Sequence, residues 1–158
     1  MVNLECHLWL IREFLPNMLA KNKGQIVSIA SQAGMTGAPS LVDYAASKFG
    51  AVGLMDALRK EMKKNSKNIV CTTVCPFFIN TGMFEGVKSN MFFPMLDQDF
   101  VIQRIETGIL QNEEEVHIWW SLAALINFGK LVLPAPAFDV VSRWIGSWNF
   151  MDKFTGRK

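Results

Sequence analysis

The chain has 158 residues, half of them hydrophobic, and a net charge of +2, which suits one compact domain. Its cations are scattered apart from one group, so nucleic-acid binding is not expected. The three cysteines (Cys6, Cys71, Cys75) and two histidines (His7, His117) show no metal-ligand spacing, which predicts reduced thiols in a non-oxidising compartment and no metal site.

In chain order, residues 2–21 read as an amphipathic helix, with Leu4, Leu8, Ile11, Leu15, Met18 and Leu19 on one broad apolar side. Pro16 falls late in that helix and is expected to kink or loosen it. Glu5, Arg12 and Glu13 interrupt the apolar residues of this segment, which is therefore not a signal peptide. Gly24 marks a turn, and 25–30 (QIVSIA) is a short β-branched strand. Gly34, Gly37 and Pro39 make the next loop. A second helix is expected from near Ser40 to about Asn65, ending in a group of cations from Arg59 to Lys67 that suits the negative end of a helix dipole.

Residues 68–75 (NIVCTTVC) form a second buried strand, stopped by Pro76. The loop PFFINTGMFEG and residues 87–96 are rich in Phe and Met. They fit either a cover over a lipophilic substrate or a subunit contact. A helix over 97–111, a solvated turn at Glu113–Glu115 and a short strand over 116–119 complete the αβ pattern. The remainder carries Trp119, Trp120, Trp144 and Trp148 and a cationic end, Arg157 and Lys158. That composition suits an interfacial membrane contact, or more plainly a C-terminal helix packed on the core. Residues 116–133 come nearest to a membrane span but are interrupted by His117, Asn127 and Lys130.

The candidate chemistry lies in Ser31–Lys48, SQAGMTGAPSLVDYAASK, which holds the only tyrosine, Tyr44. At a spacing of four, Tyr44 and Lys48 share one helix face. A free phenol, with a pKa of about 10, is a poor base at neutral pH, and a neighbouring ammonium favours its ionised form. A serine brought alongside can hydrogen-bond the substrate oxygen while the tyrosine moves a proton. In parallel sheets ligands sit outside the carboxyl ends of the strands. The strand ends at Ser31 and Pro76 therefore point to the edge where the tyrosine helix begins.

With these residues placed, the chain resembles a short-chain dehydrogenase/reductase. The runs YAASKFGAVG and CPFFINTGMFEG resemble the 16C group of retinol and epidermal retinol dehydrogenases, with 17-beta-hydroxysteroid dehydrogenases as near relatives. The resemblance implies an α/β fold, part of a Rossmann-type doubly wound parallel sheet. It also implies NAD or NADP as cofactor and a lipophilic alcohol or ketone such as retinol or retinal as substrate. Tyr44 would be the acid/base, with Lys48 activating it and holding the cofactor ribose, and Ser31 would orient the substrate oxygen. Asn3 would keep a proton-relay water in place. Pro76, Ile79 and Thr81 would meet the nicotinamide end of the cofactor.

Family members open with a strand and a glycine-rich turn that holds the pyrophosphate. This sequence has no Gly-x-x-x-Gly-x-Gly and no residue matching the selector between NAD and NADP. The expectation is a single truncated domain over residues 1–158, the catalytic half with an aromatic tail from about 119, lacking the N-terminal nucleotide-binding strands and inactive as it stands. The alternatives are a 17-beta-hydroxysteroid-type substrate, or a non-catalytic role as homo- or heterodimer partner of full-length relatives. The resemblance also implies the cytosolic face of the endoplasmic reticulum membrane or of lipid droplets, or otherwise the cytoplasm.

Overall fold

A computed structural model describes residues 2–87, 89 and 93–154, the side chains of Trp120, Leu122 and Ala123 excepted. Three strands, β1 (Gly24–Ile29), β2 (Ile69–Cys75) and β3 (Glu115–His117), form a parallel sheet in the order β1-β2-β3. The helices are α1 (Glu5–Lys21), α2 (Val42–Lys64), α3 (Gln98–Leu110), α4 (Trp120–Val132) and α5 (Ala135–Trp144).

Alternation along the strands sorts these helices onto two faces. Ile69 and Cys71 of β2, with Ile26 of β1, pack against Met55, Leu58 and Met62 of α2 and Ile11, Leu15 and Met18 of α1. Val74 and Val27 turn the other way, onto Val101 and Ile105 of α3 and Val116 of β3. Met55, Val74, Val101 and Val116 are fully buried, each side chain worth about 1.5–3 kcal/mol against exposure. The α/β expectation is met, with helices on both faces of a parallel sheet.

The element ends differ from the sequence reading for local reasons. The first helix starts at Glu5 rather than residue 2, with Leu4 at its N-cap outside helical geometry (φ −133°) and without a side-chain hydrogen bond. It runs on through Pro16 to Lys21 and ends at Asn22, whose backbone is left-handed at φ 45°. The second helix cannot begin at Ser40, which has φ 66°, and starts at Val42. The cations at its end do more than complement a dipole. Arg59 and Lys63 bond Glu114 at 3.0 and 2.6 Å, tying α2 to the start of β3. Glu113 likewise pairs with Arg104, so that turn is held by ion pairs.

After β3 the aromatic tail forms two helices instead of one. Pro134 separates them, and α5 has no side-chain cap at its start. Phe150 and Met151, beyond α5, return to pack on Phe77, Phe78 and Phe84 of the loop after β2. Arg157 and Lys158, and residues 88 and 90–92 of the Phe- and Met-rich loop, lie outside the described residues.

Candidate active site at the carboxyl edge of the sheet

The hydrogen bonding of β1 to β2 continues beyond the strands. Ala30 N donates to Val74 O at 2.8 Å and Gln32 N to Pro76 O at 3.0 Å, which fixes Ser31 at the carboxyl edge. Ser31 caps a 3-10 turn, Gln32–Gly34, and its Oγ accepts from Ala33 N at 3.1 Å. That bond occupies a lone pair and leaves the hydroxyl proton to donate.

Tyr44 lies in the first turn of α2, and with Ser31 and Gln32 it lines one cavity of about 610 Å³. Lys48, one turn on, is buried behind them. Its Nζ donates to Ile29 O at 3.0 Å and lies 5.8 Å from the centre of the Tyr44 ring. Burial lowers the Lys48 pKa below the ordinary lysine value, while Cys6 and Cys75 oppose that shift. The Lys48 charge also depresses His7, after a larger effect of burial, and His7 Nδ1 meets Ser28 Oγ at 3.2 Å.

Asn3 does not line the cavity. It sits in the turn before α1, where its Nδ2 donates to Ser47 Oγ at 3.2 Å, and Ser47 Oγ donates to Tyr44 O at 2.6 Å. Asn3 therefore reaches the backbone of the tyrosine turn through Ser47. The three residues of the loop after β2 are dispersed. Pro76 is buried and holds Gln32 N. Ile79 makes a single parallel bridge to Leu96 and packs on the Val74 cluster. Thr81 is exposed, and its Oγ1 accepts from Met83 N at 3.4 Å.

The rest of the cavity wall is apolar. Phe77, Phe78, Phe84 and Phe93 of the loop after β2 line it together with Phe150, the Phe78 and Phe150 rings meeting edge-on at 5.0 Å. Residues of α4 and α5 close the remaining side. Trp148 also lines the cavity, beneath the Arg143 guanidinium at 4.4 Å. Among the described residues no cluster of His, Cys, Asp and Glu could hold a metal ion.

One wall residue was not singled out from the sequence. Gln32 is 2% exposed; its Nε2 donates to Cys75 O at 3.2 Å, while its Oε1 is buried without a protein partner. A buried acceptor left unpaired costs about 1–3 kcal/mol, so this oxygen is poised for a donor on a ligand. Its signal in the sequence was adjacency to Ser31.

Beneath the site, burial pushes the Cys75 thiol up to about 11. The unfolded thiol ionises near an ordinary value of about 8.5 while the folded one keeps its proton. Stability present below the unfolded value is therefore lost as pH rises towards the folded one. Urea denaturation of Cys75→Ala should show a smaller fall in stability between pH 9 and 11 than the parent chain. Equal falls would contradict this account of the thiol.

Comparison with known proteins identifies the family. Residues 1–91 match the model of the family described as short chain dehydrogenase. The chain is 38% identical over 161 residues to epidermal retinol dehydrogenase 2 of Mus musculus, covering 99% of this chain and 52% of that one. It is 36% identical to retinol dehydrogenase 10-B of Danio rerio, covering 100% and 48%. With short-chain dehydrogenase/reductase family 16C member 6 of Bos taurus it shares 45% over 116 residues, 72% of this chain and 37% of that one. The chain thus spans about half the length of the curated relatives it matches.

Among solved structures, a short chain dehydrogenase from Burkholderia cenocepacia J2315 in complex with NADP superposes with a TM-score of 0.71 at 20% identity, covering 92% of this chain and 58% of that one. One from Burkholderia phymatum in complex with NAD gives 0.59 at 20%, covering 73% and 50%. These likenesses fix the fold as Rossmann-type. By sequence match and by fold, the chain belongs to the short-chain dehydrogenase family, within which it resembles the epidermal retinol dehydrogenases of the 16C group.

Proposed function

We propose that the chain carries the catalytic half of a nicotinamide-dependent oxidoreductase acting on lipophilic alcohols and their carbonyl counterparts, retinol and retinal among them. The observation that carries this reading is the apolar cavity with Ser31 and Tyr44 in its wall and Lys48 buried behind them. In the direction of carbonyl reduction, Ser31 donates a hydrogen bond to the substrate oxygen and Tyr44 delivers the proton to it. In oxidation Tyr44 takes that proton. Lys48, buried one turn on, keeps its Nζ beside the tyrosine ring throughout. Asn3 acts from behind, through Ser47 and the Tyr44 carbonyl, so its relay role is the most indirect of the set.

NAD or NADP supplies or accepts the hydride when bound, and the chain's task is to hold it. The residues present fit its nicotinamide-ribose end. Lys48 is a buried donor at the carboxyl edge of the sheet, and Gln32 Oε1 is a buried acceptor without a partner in the adjoining cavity wall. Pro76, Ile79 and Thr81 follow along the loop that leaves the same edge. No glycine-rich turn for the pyrophosphate occurs in the 158 residues. A lipophilic substrate also agrees with work at a lipid surface, such as the endoplasmic reticulum membrane or a lipid droplet. No described helix is long and apolar enough to cross a membrane.

The test is protection of the purified chain against thermal unfolding by NAD(H) and NADP(H). A ligand bound only by the folded state must raise the melting temperature. The expected result is a saturable rise with one of the two that Lys48→Met abolishes. No rise with either would leave the second reading, a non-catalytic partner of related dehydrogenases. That reading draws on the outer edge of β1, which bonds no other strand among the described residues, and on the exposed Trp9, Leu10 and Phe14 of α1 beside it.

A further inference from the structure

Every polar atom of Gln32 but one is tied down. Its N donates to Pro76 O at 3.0 Å, and its O accepts from Met35 N at 2.9 Å. Its Nε2 donates to Cys75 O at 3.2 Å, which holds the amide against the end of β2. Oε1 is left without a partner. The amide cannot turn round to find one, because Oε1 would then face Cys75 O, acceptor against acceptor. Among the described residues, two buried side-chain atoms stand unpaired, this oxygen and His117 Nδ1, and of the two residues only Gln32 belongs to the cavity wall.

The neighbouring groups do not complete it. Lys48 Nζ is spent on Ile29 O, and Ser31 Oγ is an acceptor for Ala33 N. In the oxidoreductase reading, on which this inference rests, the Ser31 and Tyr44 hydroxyls serve the reacting oxygen. That oxygen is met by two donors, and the same end of the cavity then has one acceptor still to fill. The phenylalanines of the wall, Phe77, Phe78, Phe84 and Phe93, offer it no donor. In such surroundings a made hydrogen bond is strengthened and a missing one is costly.

We propose that Gln32 is a specificity-determining residue, whose Oε1 accepts a hydrogen bond from a second, neutral N–H or O–H of the ligand beside the reacting carbon. Two sources carry that chemistry, a hydroxyl next to the carbonyl of the substrate and the carboxamide of the nicotinamide. In the first case the preferred substrate is a lipophilic hydroxyketone, with the matching diol as its reduced form. A ligand without the donor leaves the oxygen buried and unpaired, which is how a site rejects an analogue that lacks a hydroxyl.

The experiment reads binding, as protection of the purified full chain against thermal unfolding, with two matched pairs. Benzoin and deoxybenzoin differ by one hydroxyl beside the carbonyl. NADH and its acetylpyridine analogue differ by the carboxamide NH2, replaced by methyl. The parent should bind the donor-bearing member of one pair about tenfold or more tightly. Gln32→Met, which keeps the length of the side chain and loses the acceptor, should bring that ratio to within about twofold. Selectivity between the benzoins puts the donor on the substrate, and selectivity between the dinucleotides puts it on the cofactor.

The same pairing is read without a variant from the carbon-13 resonance of the Gln32 side-chain carbonyl. It should move with the donor-bearing ligand and stay in place with its partner. Equal binding within both pairs overturns the inference, the oxygen then being served by a buried water. So do a ratio that survives in Gln32→Met, a carbonyl resonance that does not move, and no protection by any of these compounds. Turnover unchanged by Tyr44→Phe would sink the oxidoreductase reading and leave the binding ratio standing. Unselective binding with turnover that depends on Tyr44 would sink this inference alone.

Discussion

Replacing Tyr44 by phenylalanine is expected to lower kcat/KM for a lipophilic alcohol by about 10²–10⁴-fold, the range that a positioned proton-transfer group contributes. The fold should not notice, because Tyr44 is half-buried at the cavity wall and the helix around it is held by Ala45, Ala51 and Met55. Phenylalanine keeps the ring beside Lys48 and removes only the hydroxyl to which proton transfer is assigned above. The thermal midpoint and any protection by NAD(P) should therefore stay near those of the parent. A variant that kept its turnover would show that the phenol is not the proton carrier, and would hand that role to another group in the cavity.

The second large effect is structural. A Cβ on Gly34 would lie 2.6 Å from Lys48 O and 2.8 Å from Val52 Cγ2. The first of these is backbone in the middle of a long helix and has little room to give. Gly34→Val should therefore cost about 3 kcal/mol of stability, the upper end for overpacking, read as the shift of the urea midpoint at constant slope. Activity should suffer beyond that loss. Gly34 N donates to Ser31 O at 2.9 Å, so pushing the turn off α2 moves the serine that lines the cavity. Unchanged stability would mean that the turn and the helix do not meet so closely in solution.

How much of this was legible beforehand depended on the range of the forces involved. The strands and helices α1, α2 and α3 follow from periodicity, and the structure shifts their ends by one to three residues. Ser31, Tyr44 and Lys48 were legible as a group because two strand ends and one helix start must meet at the same edge. The side of the cavity made by the tail was not. Its walls come from Phe150 and from α4 and α5, more than eighty residues after Tyr44, and no local pattern announces which distant aromatic will fold back. Pro134 is the local sign of the break between α4 and α5. Gln32 was hidden for a different reason, since a lone amide in a loop gains meaning only once both ends of its side chain have been located. Asn3 was found by resemblance, and only the coordinates place Ser47 between it and the tyrosine.

The parallel sheet has a consequence for how the chain reaches this state. Gly24 pairs with Ile69, and Thr73 pairs with Glu115, so each strand must wait for a partner about forty residues away, across a helix. No hairpin can seed the sheet, and each pairing first spends the entropy of closing a long loop. Folding should accordingly be slow and its barrier set by topology. The early events available are local, the growth of α1 and α2. Until the strands meet, the β-branched segments 24–29 and 69–75 stay open to any neighbour, and crowding of nascent chains becomes a competitor of folding itself.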